Sequence, residues 1–280
     1  MRHGSYESRN SNGTHRVAYT EWGEHDNPRV LICVHGLTRN GRDFDALAEA
    51  LAGDYRVACP DVVGRGASDW LENKNDYGYP QYLQDMAALV AHLQADSVHW
   101  VGTSMGGLIG MLMAAEPQSP ITRLVMNDIG PLIPKAALQR IASYVGDDPR
   151  FSSMQELDAY LHEIYAPFGP FSEAQWQGLV RSSARDLGNG EIGLCYDPGV
   201  AVPMKAMPIQ DVDLWPVWSR IQCPVLVIRG QQSDLLLAET ARQMTASGPR
   251  ASLVELDGIG HAPTLMSADQ ITLVREWLSS

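Results

Sequence analysis

Gly102-Thr103-Ser104-Met105-Gly106 places a serine between two glycines at the point where an apolar strand gives way to a helix. Upstream, Val98-His99-Trp100-Val101 reads as a short buried strand; downstream, Leu108 to Ala115 reads as a helix packed behind it. So tight a reversal strains its central residue and brings backbone segments so close that side chains two positions away must be nearly absent. Gly102 and Gly106 meet that need. The turn predicts a Ser104 hydroxyl held out at the end of a sheet, with the Met105 amide at the helix start facing an anion. Short Gly/Ser patterns also occur in ordinary turns, so the rest of the chain decides the meaning of this one.

Outward from the turn, strands and helices alternate. His15 to Trp22 alternates like a half-buried strand, Arg29 to Val34 is a nearly continuous apolar run, Phe44 to Leu51 has helical spacing, and Tyr55 to Cys59 returns to strand. A helix over Tyr82 to Leu93 precedes the Ser104 turn, and a strand over Ile121 to Met126 follows it. Such a series predicts an α/β fold with a mostly parallel, doubly wound sheet and right-handed crossovers. The pattern breaks after Gly130 and resumes with Val225 to Ile228, a helix at Ala238 to Ala246, a strand at Ala251 to Leu256 and a final helix at Ala268 to Leu278. The interval is far longer than a structureless loop, so it must fold as a unit. Helical periodicity at Lys135 to Tyr144, Met154 to Tyr165 and Glu173 to Asp186 predicts a mostly helical insertion over 131–223, within a core of 1–130 and 224–280.

Composition narrows the function. With 280 residues and 45% hydrophobic content the chain can bury a large core, and a net charge of −12 argues against nucleic acid or an anionic membrane as partner. The N-terminal stretch lacks a signal-peptide core and no apolar run approaches the roughly 18 residues of a membrane span, so a cytoplasmic protein is expected. Cys33, Cys59, Cys195 and Cys223 have no Cys-x-x-Cys spacing and are expected as reduced thiols. There is no Walker loop and no His-Glu-x-x-His, and Gly64-Arg65-Gly66 lacks the third glycine of a dinucleotide fingerprint. No cofactor and no metal are expected.

A serine hydroxyl needs a base within hydrogen-bond reach, and the base needs a carboxylate to hold its tautomer. Among eight histidines, His261 stands out: Asp257-Gly258-Ile259-Gly260-His261 follows the last strand and enters a loop at the sheet edge that carries Ser104. For the acid, Asp234 follows Val225 to Ile228 and its turn is expected to point toward the His261 loop; Asp128, after Met126-Asn127, is the rival. The oxyanion of an ester hydrolysis needs two donors, for which the amides of Met105 and Leu37 are the candidates, with His35 bracing the Leu37 loop. Arg39, Asp128 and Ile129 are expected around the substrate pocket, Arg39 as partner of an acidic substrate or, more simply, of Asp43. Aromatic residues such as Tyr144, Tyr165 and Phe168 supply the insertion's own core, and a few of them an apolar site.

His35-Gly36, Asp61-x-x-Gly64-x-Gly66-x-Ser68, the Ser104 turn and Gly260-His261 occur in the order found in the α/β-hydrolase superfamily, which the chain resembles over essentially its whole length. The resemblance implies a serine hydrolase with an inserted cap and the order Ser104, Asp234, His261. Ser-Met-Gly-Gly at 104 to 107 is similar to microbial carboxylesterases, which implies cleavage of small, mainly apolar esters through an acyl-enzyme. Lactone or carbon–carbon bond hydrolysis of an acidic substrate is the alternative, and a small-molecule receptor on the same fold is the reading from another class.

Overall fold

The computed structural model describes residues 1–165 and 168–280. The chain opens with β1 (Arg2–Asn10) and β2 (Gly13–Trp22), then β3 (Val30–Val34), α1 (Asp45–Leu51), β4 (Arg56–Pro60), α2 (Tyr79–His92), β5 (Val98–Thr103), α3 (Met105–Ala114) and β6 (Ile121–Asn127). Next come β7 (Leu132–Ile133), α4 (Lys135–Ala142), α5 (Met154–Tyr165), α6 (Glu173–Ser183), β8 (Ala184–Asp186), β9 (Ile192–Leu194), α7 (Val202–Lys205), β10 (Val212–Asp213) and α8 (Trp215–Trp218). The series closes with β11 (Val225–Gly230), α9 (Ala238–Ala246), β12 (Ser252–Leu256) and α10 (Ala268–Ser279).

Eight strands form one sheet in the order β1-β2-β4-β3-β5-β6-β11-β12. The β1–β2 and β2–β4 pairs are antiparallel and the others parallel. Alternation along β3 explains why the run Val30–Val34 is apolar throughout. Val30, Ile32 and Val34 join a core with α2 and α3, whereas Leu31 and Cys33 join a second core with α1 and α10. A parallel strand covered by helices on both faces has no solvent side, so every position favours an apolar residue. The same geometry leaves Cys33 and Cys59 buried, and all four cysteines are free.

Two features go beyond the sequence expectations. The N-terminal stretch, for which no element is expected, is the edge strand β1, in which only Tyr6 and Ser8 are buried. A strand with one neighbour and mostly exposed side chains lacks the apolar signal of an interior strand. Within 131–223 the helices α4 to α6 lie where periodicity placed them, but Glu173 to Asp186 leaves the helix at Ser183 and continues as β8, paired antiparallel with β9, while β7 pairs with β10. Two- and three-residue strands are too short to carry a readable period.

The carboxyl ends of β3, β5, β6, β11 and β12 converge on one edge, and α6 lies across it. Asn40 Nδ2 donates to Ser182 O at 2.7 Å, and Gln175 Nε2 donates to Met266 O at 3.0 Å. One helix thereby spans the loops after β3 and after β12. Ligands of open α/β sheets bind outside such strand ends. Among the described residues no helix is long and apolar enough to cross a membrane.

The turn between β5 and α3 is the tightest point of the sheet. A Cβ added at Gly102 would lie 2.2 Å from Gly106 O, and one at Gly106 would lie 2.0 Å from Val34 O. Backbone cannot yield as a flexible side chain can. Gly106→Ala is therefore expected to cost about 3 kcal/mol or more, whereas Gly178→Ala, on an α6 face with nothing within 4 Å, should gain about 0.5 kcal/mol or more. Urea unfolding of the two variants checks both values.

Candidate active site

Ser104 has φ 52° and ψ −115°, a left-handed conformation that a non-glycine residue adopts only when its surroundings impose it. It stands one residue before α3, so the Met105 amide is the first N–H of a helix, without an intrahelical acceptor. Across the β3 loop, a Cβ built on Gly36 would lie 3.8 Å from Ser104 Cβ, which brings Leu37 beside the serine. Among the described residues neither the Leu37 nor the Met105 N–H donates to an acceptor. Both are free to meet one.

His35 controls the first of these donors. Fully buried, it donates from Nδ1 to Gly36 O at 2.7 Å and accepts at Nε2 from the Val62 N–H at 2.9 Å. In a trans peptide the C=O and the following N–H point in opposite directions, so holding Gly36 O aims the Leu37 N–H the other way. From the far side of Leu37, Arg65 Nε donates to its carbonyl at 2.9 Å. Burial pushes the His35 imidazole down to about 3, and the neighbouring Arg65 and Arg39 cations act in the same direction. His35 has no proton-transfer partner here and acts as a fixed neutral brace.

The loop after β12 brings His261 Nε2 to 3.0 Å from Ser104 Oγ, and His261 Nδ1 lies 2.6 Å from Asp128 Oδ2. Asp128, fully buried, also accepts from Gly230 N at 2.8 Å on Oδ1 and from Ser233 Oγ at 2.6 Å on Oδ2. Asp234 is not the partner of His261. Its side chain is 49% exposed and pairs with Arg140, Oδ2 to Nε, at 2.5 Å. The turn after β11 does approach the His261 loop, so closely that a Cβ on Gly230 would lie 2.3 Å from Gly260 O. It arrives as a hydrogen-bond donor, through Gly230 N and Ser233 Oγ, and because Ser233 Oγ also accepts from Leu235 N and Leu236 N the next residue faces outward. Asp128 lies at the end of β6 with φ 56°, which turns its carboxylate along the sheet edge toward His261.

Asn127 escaped the sequence reading. Its Nδ2 donates to Thr103 Oγ1 at 3.0 Å and to Pro263 O at 2.8 Å, tying the strand before Ser104 to the loop after His261. A buried asparagine next to an aspartate at a strand end is the signal that could have found it.

A cavity of about 70 Å³ opens above Ser104 and His261, walled by Leu37, Tyr144, Tyr165, Phe168, Phe171 and Leu179 among others. Phe168 meets the His261 ring edge-on at 6.3 Å. Arg39 lines this cavity as expected, though buried and paired with Asp43 and Ser183. Asp128 and Ile129 do not line it. Asp128 stands behind His261, and the turn there sends Ile129 under α3, where it packs against Gly107. Among the described residues no three His, Cys, Asp or Glu side chains are grouped to hold a metal ion.

The Alpha/beta hydrolase family model matches residues 31–272. The chain belongs to this family. It is 48% identical to the 3-hydroxybutyrate-oligomer hydrolase of Cupriavidus necator over 275 residues, covering 95% of this chain and 94% of the relative. A pimeloyl-[acyl-carrier protein] methyl ester esterase of Xanthomonas campestris is 27% identical, covering 86% and 91%. The crystal structure of an alpha/beta hydrolase from Novosphingobium aromaticivorans superposes with TM-score 0.86 at 37% identity, covering 99% and 98%. The chain is an ester-cleaving hydrolase of this fold.

His35 also leaves a signature in stability. A histidine whose folded pKa is depressed contributes stability that is complete above its ordinary value of 6.5 and is lost as pH falls toward about 3. His99, pushed down to about 4 by burial, acts with the same sign; Asp45, pushed up to about 6 by burial, has the opposite sign between its ordinary range and 6. From about pH 6.5 to 4 the His35 contribution alone should fall by about 3 kcal/mol. Urea unfolding at the two pH values should show this loss, with a shallower slope in His35→Gln even though that variant is weaker at neutral pH.

Proposed function

We propose that this protein is a serine esterase that cleaves short oligoesters of 3-hydroxybutyrate or closely similar hydroxyacids, with Ser104 as nucleophile, His261 as base and Asp128 as the orienting acid. The observation that carries the chemistry is the continuous hydrogen-bonded line from Ser104 Oγ through His261 to Asp128. The substrate class is favoured by the 48% identity to a 3-hydroxybutyrate-oligomer hydrolase along almost the full length of both chains. An apolar-walled cavity suits the methyl and methylene groups of such a chain.

In the first half-reaction Ser104 Oγ attacks the ester carbonyl while His261 Nε2 takes its proton, and the Leu37 and Met105 amides meet the developing oxyanion. Collapse breaks the bond to the alcohol oxygen, which leaves with the proton from His261 Nε2. Water then gives its proton to His261, attacks the acyl-serine, and releases the acid with Ser104 re-protonated. Throughout, Asp128 holds the Nδ1 proton and so keeps Nε2 available as base. Residues 131–223 act as a cap over this site, and the aromatic side chains they contribute exclude water from it.

Ser104→Ala should lower kcat on p-nitrophenyl butyrate and on the linear 3-hydroxybutyrate dimer by about three orders of magnitude or more, and Asp128→Asn by roughly four. Asp234→Asn, which breaks only an exposed ion pair, should stay within about twofold of the parent. Equal losses in Asp128→Asn and Asp234→Asn would return the acid role to an open contest. Hydrolysis of p-nitrophenyl butyrate without any hydrolysis of the dimer would retain the esterase and refute the oligoester substrate.

A further inference from the structure

The turn Asp61-x-x-Gly64-x-Gly66-x-Ser68 encloses Arg65 between two glycines in left-handed backbone, at φ 83° and 53°. The reversal turns the arginine inward, and its side chain is fully buried. Its Nε donates to Leu37 O at 2.9 Å, its Nη1 to Val63 O at 2.7 Å and to the Tyr82 hydroxyl at 3.0 Å, and its Nη2 to Met105 Sδ at 3.7 Å. One guanidinium thus touches both residues whose amides are free to meet an oxyanion.

Every one of those partners is neutral. Among the described residues four arginines are buried, and the other three pair with carboxylates: Arg39 with Asp43, Arg56 with Glu21 and Arg229 with Glu255. The two carboxylates that the Arg65 turn engages are committed elsewhere, Asp61 to Gly41 N and Ala67 N, and Asp197 to Lys74, Tyr77 and Gly199 N. The Tyr77 and Tyr82 rings, 5.8 and 5.0 Å from the guanidinium carbon, offset part of the cost of burying the cation. A neutral donor would brace the same carbonyls without that cost. The charge lies where an anion forms. The N and O of one residue are within about 4 Å of each other, which puts Arg65 Nε within about 7 Å of the Leu37 N–H. Its field reaches this loop: after burial, Arg65 is the stronger of the two cations that push the His35 imidazole down. In the protein interior a charge at that range is screened far less than in water.

We propose that Arg65 is a positioning residue of the oxyanion site, and that its uncompensated charge, held against Leu37 and Met105, stabilises the anion that forms at Ser104 in both half-reactions. This rests on the reading of Ser104 as nucleophile, and adds the full positive charge that two neutral amides lack. The charge acts only once the carbonyl oxygen becomes negative, so it favours the transition state over the bound ester.

Three variants separate the charge from the contacts: Arg65→Met and Arg65→Gln are neutral, whereas Arg65→Lys keeps the charge and loses the guanidinium's set of bonds. On p-nitrophenyl butyrate the neutral variants should lower kcat about tenfold or more with KM within about threefold, since both half-reactions pass through the anion. Arg65→Lys should recover about half of that loss, on a logarithmic scale, or more. A trifluoromethyl alkyl ketone reads the anion directly. Ser104 Oγ bonds to its carbonyl carbon, the Ser104 proton passes to His261, and the carbonyl oxygen becomes a hemiketal alkoxide in the place of the oxyanion. Followed by fluorine NMR across pH, the alkoxide should be ionised at neutral pH in the parent. In Arg65→Met and Arg65→Gln it should take up its proton about one pH unit higher or more, and in Arg65→Lys the shift should be smaller. A merely structural role leaves that ionisation unmoved or costs Arg65→Lys as much as Arg65→Met, and either result overturns the proposal. So does a parent adduct that is protonated at neutral pH, a result that needs no variant. If Arg65→Met fails to fold, by circular dichroism, Arg65→Gln decides. A parent that forms no adduct refutes the Ser104 reading and this proposal together, whereas an ionised parent adduct that the neutral variants leave unchanged refutes the role of Arg65 alone.

Discussion

The whole site hangs on the contact between two pieces of backbone, the β5–α3 turn and the end of β3. Because Gly102 and Gly106 carry no side chain, α3 starts against the Val34 and His35 carbonyls, with no layer of atoms between. That approach forces Ser104 into its left-handed conformation and puts the first N–H of a helix beside it. The same approach brings Gly36 and the Leu37 amide across from the serine. One steric condition therefore positions a hydroxyl and two donors together, which is the pre-organisation that charge development in a reaction requires.

The histidine and its carboxylate are held by a second set of constraints at the neighbouring strand ends. Asp128 is buried with three hydrogen-bond donors around it, one from β11, one from the turn after it and one from His261. A buried carboxylate without such partners would be costly, so the β11 turn is as necessary to the acid as the strand that bears it. Asn127 adds a lateral tie between the strand before Ser104 and the loop after His261. The members of the line come from β5, β6 and the loop after β12, yet their relative positions depend on hydrogen bonds among the strand ends.

Legibility in the sequence followed the range of the interactions. Apolar runs such as Val30 to Val34 and Val225 to Ile228 announce interior parallel strands because both their faces are covered. The Gly-x-Ser-x-Gly turn announces its geometry because the glycines answer a local clash. The edge strand β1 and the short pairs β7–β10 and β8–β9 were invisible, since each depends on a partner distant in sequence and has too few buried side chains to leave a period. Asp234 looked suitable because its strand neighbours the histidine loop; the direction of its side chain depends on Ser233 engaging Asp128, a contact across more than a hundred residues.

By itself the sequence determined the order of the interior strands and the helices between them, the strained serine turn, the histidine loop and the reaction family these imply, because each of those is set by local sterics and by the burial of apolar faces. Only the tertiary structure decided which aspartate meets His261, that Ile129 packs under α3 instead of facing substrate, and that Arg39 is buried between Asp43 and Ser183 of α6. The physical reason is the same in each case. A side chain's partner is chosen by the hydrogen bonds and charges that distant segments bring to it, and a turn that changes one backbone angle at a strand end redirects the residue without altering the pattern that placed it there.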